Sequence, residues 1–177
     1  TTANLVGLPA ETETDAVACG GFTAGSPASA PASVNTLTAP AVVNRPAQVV
    51  SASRNFYDDT SFATTFPQIA APTKGEPTMT ARASDASGGV LTYLTTARTV
   101  YDSYGRPVTV YDANGNATAT AYTTDSAGRT TAVTTTNPLQ QTSSVTLDPA
   151  RGLTLTSTDP NKVVSTVQHD PLGRVTS

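Results

Sequence analysis

Tryptophan is absent from this chain of 177 residues, and cysteine, histidine and methionine occur once each, as Cys19, His169 and Met79. A single cysteine excludes an internal disulfide framework. One histidine and one cysteine leave zinc without a nitrogen and sulfur ligand set, and leave a Ser/His/Asp triad only one possible base. Glutamate appears three times and lysine twice, too few for a coiled coil or a helical bundle. Charged residues make up 13% of the chain, against about 25% in a typical soluble domain. The net charge of −3 lacks the basic balance of a nucleic-acid binder. No apolar run reaches the length of about 18 residues that a membrane-spanning helix needs. What is abundant is threonine, 34 residues of it. With valine and so few helix formers, it points to an all-β protein.

Two regions follow from the distribution of turn residues. Residues 1–100 form an irregular β-rich segment, with an Ala/Pro/Ser/Thr-rich loop at about 23–48. Short apolar runs lie at Asn4–Leu8, Thr36–Thr38 and Gln48–Tyr57, and the last is expected to be a strand that ends at Asp58-Asp59. Residues 60–76 are loop, with Phe62 and Phe66 as anchors into a core. Thr78–Ser84 and Val90–Tyr101 are expected to pair as a hairpin around Asp85–Gly89, whose two glycines supply positive φ. The chain opens without a charged n-region and apolar h-region, so no signal peptide is visible.

From Tyr101 onward the sequence is periodic. Asp-x-x-Gly units begin at Asp102 (Gly105), Asp112 (Gly115) and Asp125 (Gly128). A degenerate unit follows at Asn137, and then come Asp148, Asp159 and Asp170 (Gly173). Their first residues are 10, 13, 12, 11, 11 and 11 apart. Aspartate at the first position bonds backbone N–H groups ahead of it, proline at the second presets φ, and glycine at the fourth accepts positive φ. The stretches between alternate or are β-branched, as in Pro107–Tyr111, Ala117–Tyr122, Ser143–Leu147 and Leu153–Ser157. One strand per unit leaves no room for a parallel crossover, so 101–177 is expected to form an antiparallel meander. Thr is expected on the less buried face of that sheet.

The units Tyr101-Asp102-x-x-Gly105-Arg106, Tyr111-Asp112-x-x-Gly115 and His169-Asp170-Pro171-Leu172-Gly173-Arg174 resemble the YD repeat of RHS proteins, a family that includes the extracellular teneurins. Asn55–Asp59 and Ala71–Glu76 are similar to stretches that precede such repeats in RHS proteins of high-GC bacteria, and eight Arg against two Lys fits that bias. The resemblance covers 101–177. The pattern departs where Tyr becomes Leu147, Thr158 and His169, and where Gly becomes Gln140 and Lys162. The resemblance implies an all-β meander strip, part of a spiralling β-sheet shell that encloses or displays a C-terminal toxin or effector domain. The chain would then be a non-catalytic structural piece of a bacterial, secreted or cell-surface protein. Its partners would be the remainder of the shell or another β-strand-rich chain. No cofactor, metal, nucleic acid or membrane span enters this reading.

Other readings of the same residues carry less. A carbohydrate- or cell-surface-binding adhesion module would use exposed Tyr and Thr, but Tyr57, Tyr101, Tyr111 and Tyr122 precede turns and suit packing between repeats. An enzyme working through carboxylates alone needs two that converge in a cleft. His169 occupies the Tyr position of its unit, which favours a structural role. Asp148-Pro149 and Asp170-Pro171 lie 22 apart, a separation similar to that of the two Asp-Pro-x-Gly elements in an RHS self-cleavage motif, but two repeats give that number as well. Asp112, Asn114 and Asn116 place oxygens at alternate positions, as calcium loops do, though a hairpin turn at Asn114-Gly115 accounts for them. Asn116-Ala117-Thr118 matches a glycosylation acceptor. Cys19 is expected to be a small, partly buried hydrophobe, since no basic neighbour activates it.

Overall fold

The computed structural model describes residues 5, 7–19 and 39–176. Most of the 23–48 loop, the Thr36–Thr38 run and part of the Asn4–Leu8 run lie outside the described residues. Among the described residues the chain is all-β: ten antiparallel strands pair in sequence order as a meander. They are β1 (Glu11–Asp15), β2 (Val49–Tyr57), β3 (Pro77–Asp85), β4 (Thr92–Tyr101), β5 (Pro107–Tyr111), β6 (Ala117–Thr124), β7 (Thr130–Thr136), β8 (Thr142–Leu147), β9 (Thr154–Thr158) and β10 (Val164–Thr166). A single 3₁₀ turn at Ser87–Gly89 joins β3 to β4, and both of its glycines have positive φ, 69° and 77°. Among the described residues no helix is long and apolar enough to cross a membrane. The chain divides into two compact units, Thr1–Thr96 and Ala97–Ser177.

The N-terminal unit holds every buried residue among those described. Phe56 on β2 with Met79 and Ala81 on β3 form the core, and Phe62, Phe66 and Tyr93 pack against it. Phe62 and Phe66 thus anchor their loop as their spacing implies. Arg54 closes the cluster, with its guanidinium over the rings of Phe66 (4.2 Å) and Tyr93 (3.6 Å) and its Nε 2.9 Å from Glu11 Oε1. The same Glu11 oxygen accepts the Tyr93 hydroxyl at 2.7 Å. Cys19 is exposed rather than partly buried. The core is built by β2, β3 and the loop after Asp58, and no described residue of the segment after β1 belongs to it.

No local sequence pattern marks strand β1. Glu-Thr-Glu-Thr-Asp alternates acid with threonine and contains nothing apolar, so an apolar/polar period cannot mark it. It pairs with β2 through Glu11↔Arg54, Thr12↔Ser53 and Glu13↔Ala52. Its alternate residues Glu11 and Glu13 find cations in Arg54 and Arg45.

In the C-terminal unit no described residue is buried. The registers Val110↔Thr118 and Thr120↔Thr135 place threonine beside Val110, Tyr122, Val133 and Val145 on one face. The registers Thr109↔Ala119, Ala121↔Thr134 and Thr146↔Thr156 place it on the other face as well. Threonine therefore occupies both faces rather than the less buried one. A single layer of sheet has no core side to distinguish them.

Candidate functional site

The turns of the C-terminal unit share one bonding plan. In the unit at Asp102, the Gly105 N–H donates to the Asp102 carbonyl (3.0 Å) and the Asp102 N–H to the Arg106 carbonyl (2.9 Å). Asp102 Oδ1 accepts the N–H groups of Tyr104 (2.9 Å) and Arg106 (3.0 Å). The same two acceptor contacts recur at Asp112, Asp125, Asn137 and Asp170. Asp159 makes the second of them, to the Val163 N–H. Gly105, Gly115, Gly128 and Gly173 have φ between 74° and 83°. This is the hairpin connection in which a type I turn is followed by a left-handed residue and a bulge. Asp112 belongs to it too. The turn runs from Asp112 to Gly115, centred on Ala113-Asn114, and not on Asn114-Gly115, because Gly115 alone there has positive φ.

Asp148 opens a turn one residue longer. Its carbonyl accepts from Gly152 (2.7 Å) and its N–H donates to Leu153 (2.8 Å). Where glycine is lost, the backbone keeps its conformation: Gln140 has φ 62° and Lys162 has φ 69°. A left-handed L-residue costs about 1–2 kcal/mol, and the extra freedom of an unfolded glycine offsets about half of that. Gln140→Gly is therefore expected to stabilise the C-terminal unit by about 0.5–1 kcal/mol. A lower midpoint in thermal unfolding would show that the Gln140 side chain matters more than its backbone.

A meander sends alternate turns to opposite ends of its strands. Asp102, Asp125, Asp148 and Asp170 lie at one end, 23, 23 and 22 residues apart, and Asp112, Asn137 and Asp159 at the other. The two ends differ chemically. At the first, three of the four turns have arginine as the fifth residue, and it pairs back on its own aspartate: Arg106–Asp102 at 2.8 Å, Arg129–Asp125 at 2.8 Å and Arg174–Asp170 at 2.6 Å. At the second, amides replace it in two of the three turns: Asn116 Nδ2 donates to Asp112 Oδ2 (2.8 Å), and Asn137 Nδ2 donates to Gln141 Oε1 (2.8 Å), while the Asp159 turn has Val163 there. Neighbouring turns of one end also touch. Arg106 Nη1 donates to Thr130 Oγ1 at 3.2 Å, Arg151 Nη1 to the Asp170 carbonyl at 3.4 Å, and Lys162 Nζ to Thr142 Oγ1 at 2.8 Å. The true repeat is thus two strands long, a period that counting single turns conceals. It also accounts for the separation of Asp148-Pro149 and Asp170-Pro171.

The electrostatics follow from these bonds. The Arg129 backbone N–H, ahead of its side chain, holds the Asp125 carboxyl below the usual range, and Arg174 does the same for Asp170. At Asp102 burial works upward, but the backbone and side chain of Arg106 outweigh it. At Asp112 the Asn116 amide is the first cause of the lowering. Each carboxylate is spent on its own turn. The tyrosines are likewise engaged: Arg106 lies over the rings of Tyr104 (4.9 Å) and Tyr122 (4.2 Å), Arg98 lies over Tyr111 (5.2 Å), and the Tyr122 hydroxyl donates to the Pro107 carbonyl. Tyr122 stands three residues before its turn rather than next to it, and contacts between units still use it.

Other carboxylates meet in the N-terminal unit. Glu11 and Glu13 line a cleft of about 290 Å³ with Arg45, Arg54 and Tyr93. Burial works upward on Glu11, but the Tyr93 hydroxyl and Arg54 outweigh it and hold its carboxyl below the usual range. Glu13 Oε1 lies 2.7 Å from Arg45. The cleft thus offers two ion-paired carboxylates rather than a free acid and base. Among the described residues no group of three or more acidic, histidine or cysteine side chains gathers as a metal site.

No protein-family model matches this sequence, and no curated protein matches it.

Proposed function

We propose that this chain is a non-catalytic structural segment of an RHS/YD-repeat shell, on the outside of a bacterial cell, that encloses or displays a C-terminal toxin or effector domain. The observation that carries the reading is the turn array: seven units on nearly one hydrogen-bonding plan, at 10–13-residue spacing. Such turns impose a continuous sheet, and the strands β5 to β10 between them contain no charged residue. A wall without fixed charge offers a partly folded cargo no ion-pairing site on which to stick. The remainder of the shell, or another strand-rich chain, would complete the structure.

The test is the reading frame around the segment. Further Asp-x-x-Gly units followed by an unrelated C-terminal domain are expected. A stop codon soon after Ser177 would contradict the shell. One observation favours the adhesion module as a second reading: Tyr104 is 73% exposed. Glycan-array binding lost on Tyr104→Ala would favour that module over the shell.

A further inference from the structure

The loop that joins β2 to β3, residues 58–76, is pinned along its length. The Asp58 N–H donates to the Glu76 carbonyl at 2.9 Å and closes its base. Phe62 and Phe66 pack against the core. Gln68 clasps the Tyr57 backbone: its Oε1 accepts the Tyr57 N–H (2.9 Å) and its Nε2 donates to the Tyr57 carbonyl (2.6 Å). Phe62 is also held at φ 55°, a left-handed conformation that a bulky side chain rarely adopts. Strain that the surroundings enforce in this way clusters at ligand clamps and active sites.

This loop encloses a cavity of about 390 Å³, at the small end of the range for ligand sites, about 300–1,000 Å³. Every residue that lines it lies within 58–73, so the cavity is complete within one loop. The lining carries three kinds of group. Ala63, Ile69, Ala70 and Ala71 make one part apolar, and Ile69 is 91% exposed, with little protein surface to cover it. Thr60, Thr65 and Thr73 bring hydroxyls that bond to no described residue. Asp58 and Asp59 bring carboxylates that the loop uses only in part. Asp58 Oδ1 accepts from the Glu76 N–H alone, and Asp59 Oδ2 from the Ala63 N–H alone. A carboxylate oxygen has about two lone-pair sites, so one stays open on each of these two oxygens.

We propose that this cavity binds a single neutral pyranose ring. Sugar hydroxyls both donate and accept, so one ring serves the carboxylate oxygens and the threonine hydroxyls together. Its C–H groups cover Ile69 and the three alanines. An anion would face two carboxylates. An ammonium ion, which only donates, would leave the threonine O–H groups without an acceptor. The anchors already present fix the loop before the ligand arrives, which lowers the ordering cost of binding. This inference rests on the cavity and not on the shell reading, and the site is separate from Tyr104.

The experiment is amide chemical-shift mapping of the full chain with methyl α-mannopyranoside, methyl β-glucopyranoside and methyl β-galactopyranoside as probes. At least one is expected to shift amides within 58–73, with a Kd on the order of millimolar. Ala71→Trp fills the cavity from an exposed position and is expected to abolish those shifts. Thr65→Val and Thr73→Val each remove one hydroxyl at nearly constant volume, and are expected to weaken binding about 2- to 10-fold, the worth of one hydrogen bond. No shift with any probe at about 100 mM, well above a millimolar Kd, would overturn the proposal. So would shifts that persist in Ala71→Trp, or shifts centred on Tyr104 instead. Butylammonium moving the same amides at lower concentration would give the cavity to a cation and overturn it as well.

Discussion

Phe56→Ala is expected to cost the N-terminal unit about 3–5 kcal/mol, the range for emptying a large buried aromatic site. Phe56 and Met79 are the largest fully buried side chains, each about 2% exposed. Phe56 meets the Phe66 ring edge-on, with centroids 6.0 Å apart and an interplanar angle of 78°. Its removal empties the space beside Met79 and releases Phe66, which is one of the two aromatic rings that hold Arg54. The neighbours cannot collapse inward, because they are fixed by the β2–β3 ladder at Asn55↔Thr80 and Phe56↔Met79. A domain of this size has about 5–15 kcal/mol of stability in total, so the loss is a large fraction of it. Urea unfolding, with hydrogen exchange to locate the change, is expected to show amides of β2 and β3 losing protection. A loss under about 1 kcal/mol, in the range of surface substitutions, would mean that the core lies elsewhere.

Asp58→Asn is the second large effect. Asp58 sits at φ 59°, and its carboxylate faces a run of four backbone donors. Oδ2 accepts from Thr73 (2.6 Å), Lys74 (2.8 Å) and Gly75 (3.0 Å), and Oδ1 from Glu76 (2.9 Å). Successive N–H groups of this kind make an anion-binding concavity, here filled by the chain's own side chain. Burial pushes the carboxyl upward, but the four donors outweigh it and lower it from 3.8 to about 2. The unfolded carboxyl therefore takes up its proton before the folded one does. The resulting stability, roughly 2 kcal/mol, is fully present above about pH 4 and is lost as pH falls toward 2. Asparagine keeps the left-handed backbone but turns an N–H₂ group toward donors, leaving some unsatisfied at about 1–3 kcal/mol. The variant is expected to be less stable at neutral pH and to show a flatter stability profile between pH 4 and 2. An unchanged acid profile would show that the loop closes without Asp58.

How far the sequence carried depended on how local the physics was. The turns were legible because their donors and acceptors lie within four residues of one aspartate, and even Gln140 and Lys162 keep the register. Strand β2 was legible from the run Gln48–Tyr57, one residue longer than the strand itself. The Asp58 latch was not, because its donors are 15–18 residues away and Asp58-Asp59 reads as a strand terminator. The two-strand period did leave a local trace, in arginine at the fifth position of three of the four alternate turns (Arg106, Arg129, Arg174). The exposure of Cys19 depends on which elements build the core, which no local pattern reveals.

The inequality of the two ends restricts how such a sheet can lengthen. Duplicating a single turn and strand would reverse the chain's heading, and every later Asp–Arg turn would land among the amide turns. Duplicating 22 or 23 residues leaves every later turn at its own end. The heritable quantum of this architecture is therefore a pair of strands, and tandem duplication can extend it without redesign of either rim.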